Sequence, residues 1–348
     1  MSIDLKTLSA HLGLSPTTVS RALNGYPEVS EATRRRVMDL ARELDYRPNQ
    51  GARRLALGRA EAVGIVYPLD AIDLGDPLFM EVVEGLSDRF DTAHIELLLA
   101  SAREKSEMQS YERMVQGGRV DGMIVARTRV VDPRIDYMVK SGLPFVAYGR
   151  TGALQAFPWF DFDNEAGTTL AVQELVRLGH KSIAYIHAPL TLNFAWQRHT
   201  GYHRAMQAAG LPVPTEMVLE SGMNRRSGYE VAQALLARPQ RPSAIIVDNN
   251  LCGVGVVRAL MDGGIAVGRD MSVIVYDGVP EDTLLPGQSI TAIEQPTAYE
   301  AGTLLAEMVL TLIAGQELVE RHVLWQPRLR IRNSIGFAPD RQLHDPTP

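Results

Sequence analysis

TLSAHLGLSPTTVSRAL, residues 7–23, is the stretch that decides how the N-terminal part of this 348-residue chain folds. Leu5, Leu8 and Leu12 recur at three- and four-residue spacing, which places them on one face of a first helix. Gly13 follows at a position where a helix end favours a left-handed residue. The next Ser-Pro pair suits the cap and first residue of a second helix. The stretch therefore predicts two short helices joined by a tight turn.

A third helix is expected after Ser30, because Val37, Leu40, Ala41 and Leu44 repeat at the spacing of one helix face. The three helices form a helix-turn-helix with a supporting helix, a unit that presents its second helix to the DNA major groove. The outward side chains of the second helix are Thr17, Thr18, Ser20 and Arg21. Arg21 is the candidate base-reading residue, since arginine can form two hydrogen bonds with guanine.

Charge is distributed unevenly along the chain. Residues 1–60 hold ten basic and six acidic side chains, whereas the whole chain has a net charge of −6, which leaves −10 for the remainder. A basic N-terminal head on an acidic body indicates attraction to phosphates at one end only.

The composition is that of an ordinary globular protein, with 45% apolar and 22% charged residues. We expect a cytoplasmic protein without membrane contact, because no leader pattern and no run of about 18 apolar residues is present. Cys252 is the only cysteine, which fits a reducing compartment, and its apolar neighbours predict a core position.

From residue 62 onward, short β-branched runs alternate with helical stretches. The predicted strands are 63–67, 95–100, 122–126, 145–148, 182–187, 244–248 and 272–276. The predicted helices are 77–90, 111–116, 165–178, 197–209, 227–236, 251–261 and 297–313. This alternation predicts an α/β fold with parallel sheets covered on both faces. Seven strands exceed one small sheet, so we expect two lobes with a cleft between them.

Polar and aromatic side chains follow the predicted strands, at the end where open parallel sheets bind ligands. The polar ones are Asp76, Arg127, Arg150, Asp248, Asn249, Asn250 and Asp277, and the aromatic ones are Phe79, Trp159, Phe160, Phe194 and Trp196. Carboxylates, amides and arginines beside aromatic faces favour a polyhydroxylated ligand, which means a sugar.

Several motifs together resemble the LacI/GalR family of lactose-repressor-type regulators. In the head they are VSRALNG at 19–25, VSEATR at 29–34 and LDYRPN at 44–49. In the body they are VGIV at 63–66, DN at 163–164, LGH at 178–180, RHTGY at 198–202, YD at 276–277 and IEQP at 293–296. The resemblance covers nearly the whole chain, from about residue 3 to residue 336.

The resemblance implies a helix-turn-helix head of three helices and a two-lobed core like that of periplasmic binding proteins. Residues 1–48 would be the DNA-binding domain and 49–59 a hinge helix. Residues 60–338 would be the effector-binding and dimerisation core, followed by a flexible tail at 339–348. One lobe would contain 60–161 and 291–323, and the other 162–290 and 324–338.

The resemblance also assigns roles to individual residues. Pro16 and Thr17 fall on specificity positions of the recognition helix, Arg21 on the base-reading arginine, and Leu55 on the residue that wedges into the minor groove, with Ala52 packed beside it. The full set of expected DNA contacts is Ser15, Pro16, Thr17, Thr18, Ser20, Arg21, Asn24, Asn49, Ala52 and Leu55.

In the core, Arg198 and Asp277 match the ligand-binding arginine and aspartate of the family. Asn249 and Gln295 match further pocket or hinge positions, and Phe79 matches the aromatic region beneath the ligand. Asn250 stands where an aspartate is usual, so a carboxylate contact is lost there. The ligand therefore cannot be copied from any one relative.

The expected function is a repressor of a carbohydrate-utilisation operon, controlled allosterically by a sugar such as an α-glucoside disaccharide. The expected partners are a pseudo-palindromic operator in double-stranded DNA and a second copy of the chain, since the family dimerises. The C-terminal tail carries no leucine heptad, which favours a dimer over a tetramer.

The sequence also offers two alternatives to this function. An enzyme is disfavoured because the only Gly-x-Gly candidate continues to Arg258 instead of a third glycine. His199 and His203 could hold zinc but have no evident third ligand, and Asp161 and Asp163 could be an acid–base pair but sit at alternating positions of an extended segment. A cytoplasmic sugar-binding or sugar-processing protein without a DNA role would leave the basic head unexplained. We therefore expect no catalysis, no cofactor and no metal.

Overall fold

The computed structural model describes residues 3–23, 25–46, 58–67, 77–102, 106–152, 157–280, 283 and 287–339. The chain divides into two compact units, residues 1–60 and 61–348, which are treated separately below as the head and the core. None of the helices in these ranges is both long and apolar enough to span a bilayer.

The head consists of the three predicted helices, α1 (Leu5–Leu12), α2 (Pro16–Leu23) and α3 (Glu31–Glu43). Gly13 ends α1 with φ 63°, as predicted, because a residue without a Cβ adopts this left-handed conformation at little cost. The Ser15 hydroxyl accepts a hydrogen bond of 3.1 Å from the backbone N–H of Thr18 and so caps α2. Ser30 caps α3 in the same way through Thr33.

A small apolar core holds the head together. Its buried members are Leu8, Val19, Ala22, Val29, Val37 and Ala41. Each helix contributes to this core, so its outward surfaces are positioned by packing and not by local helix propensity, which is marginal in helices of eight residues.

The first lobe of the core is built on a six-stranded sheet in which every neighbouring pair is parallel. Its strand order is β11, β5, β4, β3, β1, β2. The strands are β1 (Ala62–Tyr67), β2 (Glu96–Ser101), β3 (Gly122–Val125), β4 (Phe145–Tyr148), β5 (Trp159–Phe162) and β11 (His322–Trp325).

The second lobe is built on another six-stranded sheet, in the order β12, β10, β9, β8, β6, β7. It is parallel except for the last pair, β10 with β12. The strands are β6 (Ile183–His187), β7 (Val218–Glu220), β8 (Ala244–Val247), β9 (Ser272–Tyr276), β10 (Thr291–Glu294) and β12 (Arg328–Arg330).

Helices cover the sheets, as expected for parallel strands that are buried on both faces. In chain order they are α4 (Pro77–Thr92), α5 (Glu107–Val115), α6 (Pro133–Ser141), α7 (Asn164–Arg177), α8 (Asn193–Ala208), α9 (Arg225–Leu236), α10 (Asn250–Asp262) and α11 (Ala298–Ile313). The predicted α/β class with two lobes is therefore confirmed. Cys252 lies in the core of the second lobe, and burial raises the pKa of its thiol to about 12.

All seven predicted strands occur, with ends within one residue, and all seven predicted helices occur. The strands missed were β5, β7, β10, β11 and β12, and α6 was the missed helix. The lobe boundaries also differ from the prediction. Residues 291–294 belong to the second sheet as β10, and the predicted boundary between 323 and 324 falls inside β11 of the first sheet. Strands of three or four residues give too little periodicity to be recognised.

Two glycines allow the longest helices of the first lobe, α4 and α11, to touch along their backbones. A Cβ at Gly302 of α11 would overlap the carbonyl oxygen of Val82, and one at Gly85 of α4 would overlap that of Tyr299. Backbone atoms cannot yield as a flexible side chain can, so the two helices would have to move apart.

We therefore expect Gly302→Ala to lower the free energy of unfolding of the core by about 1–3 kcal/mol, as overpacking does. The sign of this change in stability is informative, because replacing a glycine within a helix by alanine otherwise stabilises a protein by about 1 kcal/mol. The midpoint of urea unfolding measures it. Ser87→Ala, on the exposed side of α4, is the control and should change stability by less than about 0.5 kcal/mol. An unchanged or raised midpoint for Gly302→Ala would contradict the close contact.

Candidate functional site

A cavity of about 350 Å³ lies between the two lobes of the core, at the carboxyl ends of both sheets. It is called the interlobe cavity below. Seven of the predicted ligand-contact residues line it: Phe79, Arg127, Phe194, Arg198, Asn249, Asp277 and Gln295. They come from six separate segments of sequence, so the fold brings together residues that lie up to 216 positions apart in the chain.

One wall of the interlobe cavity is aromatic. The rings of Tyr67 and Phe79 stack with centroids 3.8 Å apart, and the Arg127 guanidinium lies 5.5 Å from the centre of the Tyr67 ring. Phe194, from the first turn of α8, supplies a further ring. Flat apolar faces of this kind pack against the C–H surfaces of a sugar ring, while the arginine supplies hydrogen-bond donors for hydroxyl groups.

Arg198 is held firmly at the base of the cavity. Its guanidinium lies 3.4 Å from the centre of the Tyr276 ring. Its Nε donates to Asn164 Oδ1 at 2.8 Å, and its Nη1 donates to the carbonyl oxygen of Asp248. Burial raises the pKa of the Asp248 carboxyl, and Arg198 opposes that shift. Because these contacts fix the side chain before any ligand arrives, little rotamer entropy is lost on binding.

A buried ionic cluster holds the backbone of Arg127. Arg127 has φ 51°, a left-handed conformation that is strained for a residue with a Cβ. The guanidinium of Arg134, only 1% exposed, donates to the Arg127 carbonyl oxygen at 2.8 Å and to that of Ala126 at 3.1 Å. Glu107 and Asp132 pair with Arg134. Burial works against ionisation of Asp132, but the hydrogen bonds and charge of Arg134, together with the backbone N–H of Arg129, outweigh burial and lower the pKa of the carboxyl.

The loop after β3 also connects the lobes directly. The backbone N–H of Val130 donates to the Thr191 carbonyl oxygen at 3.0 Å, and that of Asn193 donates to the Thr128 carbonyl oxygen at 2.9 Å. Since Arg127 lies in the same loop, its position depends on how the two lobes meet.

Four predicted pocket residues do not line the interlobe cavity. Phe160 is fully buried in the first lobe, where it packs on Phe162 and Trp325. Trp159 stacks on His322 at the sheet edge, and Trp196 is 43% exposed on α8. Arg150 pairs with Asp161 at 2.8 Å and lies against Trp159. The prediction that Trp159 and Phe160 face the ligand is wrong, because both belong to β5, where neighbouring side chains point to opposite faces of the sheet.

The structure adds cavity residues that were not predicted, namely Tyr67, Thr128, Tyr148, Asp161, Phe162, Asn164 and Met223 among others. Of the predicted strand-end residues, Asn250 also lines the cavity, whereas Asp248 does not. Tyr67 and Tyr148 end β1 and β4, so the strand-end rule that identified Arg127 could have found them too. Asp161 required knowledge of β5. Burial raises the pKa of the Asp161 carboxyl, whereas the neighbouring Arg150 opposes the shift.

The two histidines considered as zinc ligands do lie together. His199 and His203 have their Nε2 atoms 3.0 Å apart, and the His187 ring lies edge-on to that of His199. Burial, His203 and His187 lower the pKa of His199 to about 4, so this pair is neutral near pH 7 and shares one hydrogen bond. Within the ranges that the structure describes, no group of three histidine, cysteine or acidic side chains is arranged to hold a metal ion.

The head presents a polar surface on α2. Pro16, Thr17 and Arg21 are exposed, and Thr18 and Ser20 are half-buried. Ser15 serves as the cap of α2, with its hydroxyl 2.8 Å from that of Thr18. Arg21 makes no ion pair with any residue in the described part of the head, so its guanidinium is available to a ligand. The other expected DNA contacts, Asn24, Asn49, Ala52 and Leu55, lie outside the described residues, and so does Asp76, which was predicted for the ligand site of the core.

Comparison with known proteins gives a family match for the head and another for the core. Residues 60–333 match the family of periplasmic binding proteins and sugar-binding domains of the LacI family, and residues 10–49 match the bacterial regulatory proteins of the lacI family. The HTH-type transcriptional regulator RafR of Escherichia coli is 37% identical over 99% of this chain and 100% of its own length.

Two solved structures have the same architecture. The lac repressor dimer bound to operator and the anti-inducer ONPF is 25% identical, with a TM-score of 0.83 over 97% of this chain and 100% of that chain. The complex of the transcriptional regulator CelR with cellobiose is 26% identical, with a TM-score of 0.71 over 95% of this chain and 99% of that chain. The chain is therefore a DNA-binding transcription regulator that belongs to the LacI family.

Proposed function

We propose that this regulator represses a carbohydrate-utilisation operon and that a sugar in the interlobe cavity releases it from DNA. The observation that carries the proposal is the combination, in one chain, of an exposed Arg21 on α2 and a cavity lined by aromatic, arginine and carboxylate groups. A sugar-binding protein without a DNA role would need only the cavity, and the helix-turn-helix head favours the regulator over it.

The chemistry of the interlobe cavity supports a sugar effector. Tyr67 and Phe79 offer stacking faces, and Arg198 and Asp277 offer charged hydrogen-bond partners. An α-glucoside disaccharide is the proposed class. That CelR has been solved with cellobiose is consistent with an effector of two rings, although the linkage there is that protein's own.

The head supports operator recognition. A helix of the length and exposure of α2 fits the major groove, where Arg21 would contact a guanine edge and the remaining α2 side chains would contact thymine methyls or phosphates. The lac repressor relative is a dimer on its operator, and two copies of this chain would likewise match a two-fold symmetric site. We propose a cytoplasmic location, because operator DNA is the proposed partner.

Control by the sugar follows from how the interlobe cavity is built. Arg127 and Tyr67 belong to the first lobe, whereas Arg198 and Asp277 belong to the second. A ligand that touches both walls has its highest affinity at one relative orientation of the lobes, so it shifts the population toward that orientation. Coupling between two such sites is typically about 1–3 kcal/mol, or roughly 5- to 150-fold in affinity. The hinge at 49–59 is the proposed route from core to head.

Arg21→Ala tests the role of the recognition helix. We expect the preference of the variant protein for operator over unrelated DNA to fall by about 1–3 kcal/mol, roughly 5- to 150-fold, because one base-reading arginine is lost. Arg42→Ala, on the exposed side of α3, is the control. It removes the same charge and should lower the affinity for operator and for unrelated DNA by the same factor. Titrations with labelled operator and scrambled duplex at one salt concentration measure both. Sequence preference retained in Arg21→Ala would contradict the assignment.

Arg127→Met tests the cavity. The variant keeps an unbranched side chain but loses the guanidinium. Because a hydrogen bond from a charged group contributes about 1.5–3 kcal/mol, we expect maltose affinity to fall roughly 10- to 150-fold. Arg204→Met, which removes an exposed cation from α8, is the matched control and should bind as the wild type does. Isothermal calorimetry measures both proteins, with the α-galactoside melibiose as a second ligand. Equal affinities in the two variants would argue against a sugar at this site.

A further inference from the structure

A second cavity, of about 250 Å³, adjoins the interlobe cavity. The two share three lining residues, Leu78, Asn250 and Asp277, which form the boundary between them. Asp277 and Gly278 both have positive φ, 61° and 73°, so the chain turns sharply at the end of β9 and runs from one cavity into the other. The two cavities are therefore neighbours that meet at these three residues.

The second cavity has a different chemistry. No aromatic ring is among its described lining residues, whereas charged and hydroxyl groups line it: Asp277, Ser289, Glu294 and Arg332. Arg332 Nη2 donates to Glu294 Oε1 at 2.6 Å, and Arg332 Nη1 donates to the Ile290 carbonyl oxygen at 2.9 Å. Arg330 lies 3.6 Å from the other carboxylate oxygen, Glu294 Oε2. These contacts hold the Glu294 carboxylate in place, and because a carboxylate has about four lone-pair positions, it can still accept a hydrogen bond from a ligand hydroxyl.

The two cavities also differ in size, and therefore in the ligands that they can hold. The interlobe cavity, at about 350 Å³, lies near the lower end of the 300–1,000 Å³ typical of small-molecule sites. It suits a short ligand whose ring stacks on Phe79. The second cavity adds space that offers hydrogen bonds but no stacking surface, which fits a further, fully hydroxylated unit attached to the first.

We propose that the second cavity is a subsite for another sugar ring, so that the effector is an oligosaccharide whose first ring occupies the interlobe cavity. This inference rests on the proposed sugar-binding function and specifies the class of sugar. The subsite is also formed by both lobes, because Pro77 and Leu78 begin α4 of the first lobe while Ser289 and Glu294 belong to the second. A ring bound there would add to the difference in affinity between the lobe orientations.

The test is calorimetry on the full-length protein with two ligand series that lengthen from the same first ring. One series is methyl α-D-glucopyranoside, maltose and maltotriose, and the other is methyl α-D-galactopyranoside, melibiose and raffinose. The preferred series should show an affinity at least about tenfold higher for the longer sugars than for the methyl glycoside, equivalent to about 1.4 kcal/mol.

Ser289→Phe is the variant that separates the two cavities, because residue 289 lines only the second one. The added ring fills the subsite, so the advantage of the longer sugar should disappear while methyl glycoside affinity changes less than about twofold. Ser141→Phe, at an exposed position at the end of α6, is the matched control and should bind both as the wild type does. Glu294→Gln keeps the shape and removes the carboxylate. Glu294→Gln should lower the affinity for the longer sugar and leave that for the methyl glycoside unchanged. It replaces Ser289→Phe as the test if that variant does not fold.

The outcomes separate the two proposals. Equal affinities for short and long sugars, or an equal loss for both in Ser289→Phe and Glu294→Gln, would overturn the subsite and leave sugar control intact. Failure of every sugar in both series to bind the wild type would overturn the proposed function, and the subsite with it.

Discussion

A buried guanidinium, that of Arg198, connects the parts of the core on which the interlobe cavity depends. Arg198 bonds to Asn164, and Asn164 in turn donates to Asp161 at 3.3 Å, so a chain of polar groups runs from α8 of the second lobe to β5 of the first. Removing one partner of a buried charge costs about 3–5 kcal/mol, because the other is left unpaired without water. The polar chain therefore favours a single arrangement of the lobes around the cavity.

The same chain of contacts links ligand binding to lobe orientation. Two cavity-lining arginines are already held by protein partners, Arg198 through its bond to the Asp248 carbonyl oxygen and Arg127 through the bond that its backbone accepts from Arg134. A rigid site of this kind cannot adapt to many ligands. Because its side chains are already ordered, ligand affinity depends mainly on the distance between the two walls of the cavity. This is the physical requirement for a sugar to act as a switch, since a ligand shifts an equilibrium only by its difference in affinity for the two states.

The parts of this molecule that sequence predicts best are those that depend on local patterns. The strands Phe145–Tyr148 and Ser272–Tyr276 are short β-branched or aromatic runs between turn residues, and their bounds were predicted to the residue. The caps at Gly13 and Ser15 follow from the intrinsic preferences of those residues. Arg127, Asn249 and Asp277 were found because the strand-end rule needs only the position of the strand.

What sequence did not predict depends on the neighbours that a segment has in space. β5 is a strand because it lies between β4 and β11, and that placement buries Phe160 and turns Asp161 toward the cavity. β12, with the sequence Arg-Leu-Arg, is an edge strand whose pairing with β10 comes from the second lobe. The shared boundary of the two cavities at Leu78 and Asn250 likewise joins residues 172 positions apart, and no local pattern marks such a contact.

The most direct test of the account is a footprint of the purified protein on its own promoter region, with and without a panel of mono- and disaccharides. The account predicts one protected site with two-fold symmetry, and release of that site by a sugar at concentrations that saturate the interlobe cavity. A site that is protected only when sugar is present would reverse the proposed direction of control. Absence of protection under every condition, including low salt, would contradict the central claim that sugar occupancy in the core governs operator binding by the head.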